Sequence, residues 1–398
     1  MLSSILAQRG FWIACLCLVV VTVSNGMINS GLSVYDEALV ARFDVTIAAL
    51  KLRDSISFMG STFFIVMAGF WVDRVGPKPF LIAGLAILSA VYYLYPMVDR
   101  LWHIYLLHGA LALVLACAGN MTAIVTAARW FPEQRGLAVG MAVAGTSMGG
   151  MILPPLATEL ISQYGWQTAM QFESLIPLVV LLFVALLLPK GLPAAVEVAL
   201  AEARTLTYLS ILRSAVFVRI TLAASLTYYA ALSIFSHGFL YFRSLGLSAS
   251  DAAWQLSILA LSALAGKLVT GAVSDRLEFD YFFRVQMCVL VGGISCLAGS
   301  PSYALVGCVI AGYGWGGLHA LYNIVLIRLF GLDMAGRVNG TVSVAEAVGG
   351  SVGIAATGYF ATVYSYSVGL VVATALSLIA LFLIWFTPTR SDQIQTQA

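Results

Sequence analysis

Charge is what this chain has least of: 10% of its 398 residues are Asp, Glu, Lys or Arg, where an ordinary soluble domain carries roughly 25%. So little charge cannot cover a water-facing surface, and a soluble globular fold is excluded. The six cysteines, Cys15, Cys17, Cys117, Cys288, Cys296 and Cys308, lie inside apolar runs, with no CxxC and no histidine at a metal-ligand offset. They read as small hydrophobes in helices. The polar connections hold no nucleotide-binding loop, no HExxH and no GxSxG, so nothing points to an enzyme. Also missing is the two-residue alternation, in segments of about 10 residues, that a transmembrane β-barrel requires. The expectation is a non-enzymatic protein with no cofactor, no metal and no nucleic-acid partner.

What fills the sequence instead is apolar, at 61% hydrophobic residues and a mean hydropathy of +0.96. Runs of about 20 apolar residues, each enough to cross roughly 30 Å of hydrocarbon as a helix, recur along the whole chain. Their punctuation gives twelve spans, at 10–34, 46–71, 79–98, 101–127, 137–160, 169–189, 214–242, 250–273, 283–300, 302–327, 338–361 and 366–387. The first is read as a retained helix, since Arg9 precedes it and no small-residue cleavage site follows. With both termini on one side, fourteen lysines and arginines from Arg9 to Arg390 fall in that side's loops, and only Arg42, Arg100 and Arg243 fall opposite. That asymmetry predicts an integral protein of a bacterial-type inner membrane with both termini cytoplasmic.

The longest polar connection, Lys190 to Arg213, sets the expected organisation: a six-helix bundle at 1–189, a cytoplasmic linker at 190–213, and a second bundle with a short tail at 214–398. The halves repeat. Gly69, Asp73 and Arg74 return as Gly271, Asp275 and Arg276 at an offset of 202, while Gly140, Gly149 and Gly150 return as Gly340, Gly349 and Gly350 at an offset of 200. Six spans per repeat preserve orientation, so the fold class expected is an all-α membrane protein of two parallel six-helix repeats, with a binding site between them near the midplane.

The stretch Gly69-Phe-Trp-Val-Asp73-Arg74-Val-Gly76-Pro77-Lys78 resembles the loop between the second and third helices of the major facilitator superfamily. Its Asp-Arg-x-Gly-Pro-Lys form is similar to the branch of monocarboxylate transporters and oxalate:formate exchangers, as is Arg129-Trp-Phe-Pro-Glu-Gln-Arg-Gly-Leu-Ala-Val-Gly140. The resemblance covers the full length. It implies the major facilitator fold, and a gating role for Gly69, Asp73, Arg74, Asp275 and Arg276, whose contacts would hold the cytoplasmic side shut in one conformation and break in the other. The bland alternative for these turns is a positive anchor that fixes topology.

An ionisable side chain at membrane depth is costly and is a site hypothesis by default. Lys267 precedes Asp275 by eight residues and Glu346 follows Arg337 by nine, which places them about 12 and 13 Å inside their helix ends. Asn120 and His319 each precede a cytoplasmic arginine, Arg129 or Arg328, by nine residues, so all four share one level. The resemblance implies that the fourth and tenth helices, which carry Asn120 and His319, line the central cavity. It also matches Lys267 to a position where the branch usually has arginine, and Ala263 to one where some members have aspartate. Tyr322 and Asn323 accompany His319, and Tyr228, Tyr229 and His237 lie on the seventh helix. His237 is either a helix-packing hydrogen bonder or, as in some members of the branch, linked to substrate and proton. Asn25 and Asn29, one turn apart, are either amide glue in a close packing or cavity lining. Lys51, Arg53 and Asp54 read as a solvated outer face with an intrahelical Lys51–Asp54 pair, or else as an outer attractor for anions.

These residues predict a secondary active transporter of a small organic anion, a monocarboxylate above all, coupled to protons and working by alternating access within the lipid bilayer. Lys267, Asn120, His319, Tyr322, Asn323, Tyr228, Asn25 and Asn29 are the expected substrate-binding residues, and Glu346 or His237 the proton-coupling ones. An exporter of amphipathic drugs or metabolites is the alternative with the same fold. A non-transporting sensor is disfavoured by the absence of a soluble signalling domain among the connections, the longest of which is about two dozen residues.

Overall fold

A membrane offers no water to unpaired backbone groups, so a spanning chain must satisfy its own N–H and C=O groups. The computed structural model obeys this with helices throughout and no strand among the described residues. It describes residues 2–130, 135–189, 208–273, 279–330 and 332–387, with the side chains of 2–9, 66–74, 135–136, 279, 327 and 332–337 outside the description. Of the expected gating residues, Asp275 and Arg276 lie outside the described residues, and Gly69, Asp73 and Arg74 are described in backbone alone. Most of the expected linker, 190–207, also lies outside.

The helices are α1 (Leu2–Gly26), α2 (Asp36–Phe43), α3 (Ile47–Val75), α4 (Lys78–Leu94), α5 (Leu101–Cys117), α6 (Asn120–Trp130), α7 (Arg135–Glu173) and α8 (Leu175–Leu187). After the short α9 (Tyr208–Arg213) come α10 (Ala215–Ser244), α11 (Ala249–Val273), α12 (Phe279–Ala298), α13 (Ala304–Phe330), α14 (Leu332–Val363) and α15 (Tyr366–Trp385). They make twelve spans. Nine described intervals are long and apolar enough to cross a membrane, and the longest of these, Leu137–Leu187, holds two spans bent at Gly165. The helices α3 and α14 supply the other two. At Gly165 the backbone turns to φ 76° and ψ 160°, a region in which a Cβ is strained, so the fifth and sixth spans join by a single-residue bend where the sequence suggested a longer loop.

Two spans expected to be continuous are broken, and each break has its own hydrogen-bond donors. The first span runs through α1, passes a π turn at Met27–Gly31 and a 3₁₀ turn at Leu32–Tyr35, and resumes as α2. Tyr92 Oη donates to Met27 O at 2.7 Å and Arg53 Nη2 to Leu32 O at 3.3 Å. The fourth span breaks between α5 and α6; Ser24 Oγ donates to Ala118 O at 2.7 Å and Thr122 Oγ1 to Ala116 O at 2.9 Å. Cations close other ends, where the helix dipole favours them: Lys78 Nζ donates to Ala185 O and Leu188 O at 2.7 and 2.6 Å, and Arg219 Nη1 to Phe386 O at 3.0 Å.

The chain forms two compact units, one of Met1–Ala195 with Gly238–Ala260, the other of Val196–His237 with Leu261–Ala398. Within the first, α1 packs on α7, α3 on α5 and α4 on α8. Within the second, α12 packs on α13 and α15, and α14 on α13 and α15. The repeated glycines perform matching tasks in each. A Cβ on Gly149 would stand 2.5 Å from Thr22 O and from Gly26 Cα, and a Cβ on Gly349 would collide with Ser225 O. Close approach of backbones through small residues is how membrane helices pack without a hydrophobic driving force.

Gly140 and Gly340, by contrast, have nothing within 4 Å of an added Cβ. Replacing Gly149 or Gly349 by Leu is therefore expected to lower the thermal unfolding temperature in detergent, at a cost of about 1–3 kcal/mol from overpacking. Gly140→Ala is expected to leave it unchanged or slightly raised.

Candidate functional site

In the second unit, close backbone packing fixes where the polar side chains sit. Gly266 of α11 lies against Tyr313 O, and Gly316 of α13 against Ala263 O, with no room for a Cβ at either. This brings Lys267 of α11, which is half-buried, close enough for its charge to act on His319 of α13, also half-buried. One turn before His319, Trp315 meets its ring edge-on at 5.7 Å and meets Tyr228 of α10 at 4.8 Å. The Tyr228 hydroxyl is bonded to the Glu346 carboxyl of α14, which also accepts from Ser343. Tyr322 is 2% exposed; its hydroxyl shares a 2.9 Å hydrogen bond with Thr227 and lies within electrostatic reach of Glu346. Four helices thus bring a cation, an imidazole, two phenols and an acid into one cluster.

The remaining expected site residues divide between the units. Asn323 is exposed, with Nδ2 donating to His319 O at 2.9 Å. His237 is 1% exposed, with Nε2 at 2.8 Å from Ile354 O and its ring 5.8 Å from that of Tyr366. In the first unit Asn25 is half-buried beside Ser24, with Nδ2 at 3.4 Å from Oγ, and Asn29 is exposed on the π turn. Asn120 opens α6 at the break in the fourth span, and its buried Oδ1 has no hydrogen-bond partner among the described residues.

One sequence reading is corrected. Lys51 and Arg53 do not form a solvated face: both are 0% exposed. Lys51 does pair with Asp54, at 2.9 Å, but also with Asp36 at 2.5 Å. Arg53 bonds Asp36 through Nη2, Asp54 through Nε at 3.2 Å and Tyr95 Oη through Nη1 at 2.8 Å. His108 extends the network, with Nε2 at 3.1 Å from Tyr95 Oη and Nδ1 at 2.7 Å from Ser57 Oγ. Two cations face two carboxylates, so the network is neutral as a whole, which is the condition for burying it. Sequence reasoning missed Asp36, Tyr95 and His108, although a histidine midway along an apolar run was itself a signal. Glu37, next to Asp36, points the other way and takes a two-pronged contact from Arg243, Nε to Oε2 at 3.0 Å and Nη2 to Oε1 at 3.1 Å.

Against known proteins, the family model described as Major Facilitator Superfamily matches residues 14–354. The chain is 26% identical to the oxalate:formate antiporter of Oxalobacter formigenes over 98% of its own length and 93% of that protein's. It is also 26% identical to monocarboxylate transporter 13 of Bos taurus, over 85% and 80%. Among solved structures, a bacterial homolog of the human lysosomal transporter Spinster, inward-facing and unoccupied, superposes with a TM-score of 0.76 at 13% identity over 98% of each chain. At that identity the likeness concerns the fold alone.

Removing one partner from a buried charge network leaves an uncompensated charge, at a cost of about 3–5 kcal/mol. Asp36→Ala is therefore expected to lower the thermal unfolding temperature sharply. Arg42→Ala breaks a pair whose side chains are 47% and 81% exposed and is expected to cost at most about 1 kcal/mol. Equal effects in a thermal unfolding assay would contradict the difference drawn between the two sites.

Proposed function

The chain belongs to the major facilitator superfamily and is a membrane transporter, and from that premise we propose that it carries a small organic anion, a monocarboxylate above all, in step with protons. The observation that carries this reading is the cluster of Lys267, His319, Tyr228, Tyr322 and Glu346 in one unit, with Lys267 and His319 only half-buried. A lysine supplies a point charge for a carboxylate, and the phenol and imidazole groups supply donors to orient it. Similarity over nearly the whole length to a protein named as an oxalate:formate antiporter, and over most of it to one named as a monocarboxylate transporter, supports the same chemistry.

Asn25, Asn29 and Asn120 are the contribution proposed for the first bundle, with the unpartnered Asn120 Oδ1 as the argument for a ligand at that break. On the sequence reading alone, Glu346 or His237 would carry the coupling proton. Alternating access, with the two six-helix repeats exposing a midplane site to each side in turn, is the proposed mechanism, and Asp73, Arg74, Asp275 and Arg276 its cytoplasmic gate. The bias of lysine and arginine to one side supports cytoplasmic termini in a bacterial-type inner membrane.

The aromatic group of Tyr228, Trp315 and Phe235, with ring centroids 4.8 and 6.3 Å apart along it, favours a second reading, in which the cargo is an amphipathic drug or metabolite moved outward. Lys267 separates the two. In proteoliposomes loaded with lactate, formate or oxalate, Lys267→Ala is expected to reduce carboxylate exchange about 100-fold, the scale of losing a desolvated charge partner. The unfolding temperature should not move, and Lys267→Arg should keep substantial exchange. Wild-type exchange by Lys267→Ala would remove Lys267 as the partner of the carboxylate, while failure of the wild-type chain to exchange any carboxylate would favour the export of amphipathic cargo.

A further inference from the structure

One buried acid has no part in the site above. Glu173 ends α7 eight residues past the bend at Gly165, about 12 Å along the sixth span. It is 1% exposed, and neither carboxyl oxygen has a hydrogen-bond partner among the described residues. The Tyr35 hydroxyl faces it without closing a bond of normal geometry, and is itself buried and unpaired. Tyr92 of α4 lies within electrostatic reach of both. Beyond Tyr92 stand Tyr95 and Arg53, but Arg53 spends its donors on Asp36, Asp54, Tyr95 and Leu32 O. The helix that follows, α8, carries no ionisable side chain. Among the described residues no cation is therefore placed to hold Glu173 as a carboxylate, and a bare carboxylate in so dry a place costs far more than protonating it. Burial without a cation partner favours the neutral acid here.

Its surroundings tie that proton to the shape of the first span. Tyr92 has one proton to donate, and it gives it to Met27 O, the carbonyl that opens the π turn. Tyr35 closes the 3₁₀ turn that follows. If Glu173 ionised, these two hydroxyls would feel its charge, and turning Tyr92 to the carboxylate would strip Met27 O of its partner. The π turn would have to re-pair, and with it would move Asn29 on that turn and Asp36 and Glu37 just beyond it. Single-turn π bulges inside α-helices are frequent at functional positions, and acids within membrane helices commonly serve as proton relays.

We propose that Glu173 binds and releases the coupling proton, R–COO⁻ taking up H⁺ from water to give R–COOH, and that Tyr92 transmits its state to the broken first span. This rests on the proton-coupled reading above and moves the proton site to the first unit, since Glu346 is already held by Tyr228 and Ser343, and His237 by the Ile354 carbonyl.

Two measurements on the full-length protein test it. The first needs no substrate: infrared difference spectra of the detergent-solubilised protein across a pH titration should show a protonated buried carboxylic acid that loses its proton with a concurrent tyrosine signal. Glu173→Gln should lack the acid band and Tyr92→Phe the tyrosine signal. A wild-type spectrum with no such titrating band, or a band unchanged in Glu173→Gln, overturns the inference whatever the protein carries. The second uses proteoliposomes and radiolabelled lactate or oxalate. Glu173→Gln should keep exchange at equal pH within about twofold of wild type and lose at least tenfold of the accumulation driven by a pH gradient, with Glu173→Asp restoring part of it. Gradient-driven accumulation by Glu173→Gln at the wild-type level overturns the inference alone. Wild-type exchange that ignores the gradient overturns the proton-coupled reading and the inference with it.

Discussion

A charge or an unpaired backbone group carried into hydrocarbon has to be met by the protein itself, and this constraint organises the structure. It explains why the described spans are helical, and why the breaks within the first and fourth spans carry side-chain donors. Tyr92 and Arg53 serve the carbonyls of the broken first span, and Ser24 and Thr122 those of the fourth. It also explains the company kept by Lys51 and Arg53, two cations with no exposure that are tolerable only because Asp36 and Asp54 neutralise them.

The same constraint sets two groups of polar side chains apart. In the first unit the Asp36–Lys51–Arg53–Asp54 network is nearly closed, balanced in charge and extended by tyrosine and histidine into a continuous hydrogen-bonded body. Such a body suits holding helices in one register. In the second unit Lys267, His319, Tyr228 and Glu346 are only half-buried, so part of each remains available to something other than protein. Similar residue types thus differ in their degree of burial, and that difference is what supports placing the proposed site in the second unit.

Much of the architecture was legible in one dimension because hydrocarbon thickness fixes span length and small residues mark close helix contacts. The twelve spans follow from hydropathy, and the repeat of Gly149 as Gly349 reappears as two equivalent backbone contacts, on Thr22 and on Ser225. Facing was not legible. Lys51 and Arg53 near a span end look alike whether they turn to solvent or inward, and only the distant Asp36, Tyr95 and His108 decide the matter. The breaks at Met27 and at Ala118 were equally hidden, since neither carries proline and both depend on donors from other helices. Glu173 was within reach: an acid inside an apolar run satisfies the rule that singled out Lys267 and Glu346. Of the site, the grouping of Lys267 with His319 was anticipated from depth along their helices, whereas the bond between Tyr228 and Glu346 needed the three-dimensional packing.

The most direct measurement of what this protein carries is exchange by the wild-type chain in proteoliposomes, offering radiolabelled lactate, formate and oxalate beside an uncharged amide and an amine of similar size. Exchange confined to the carboxylates is the predicted result. Exchange of the amide or amine with no carboxylate moving would contradict the assignment of the half-buried lysine as the partner of an anion.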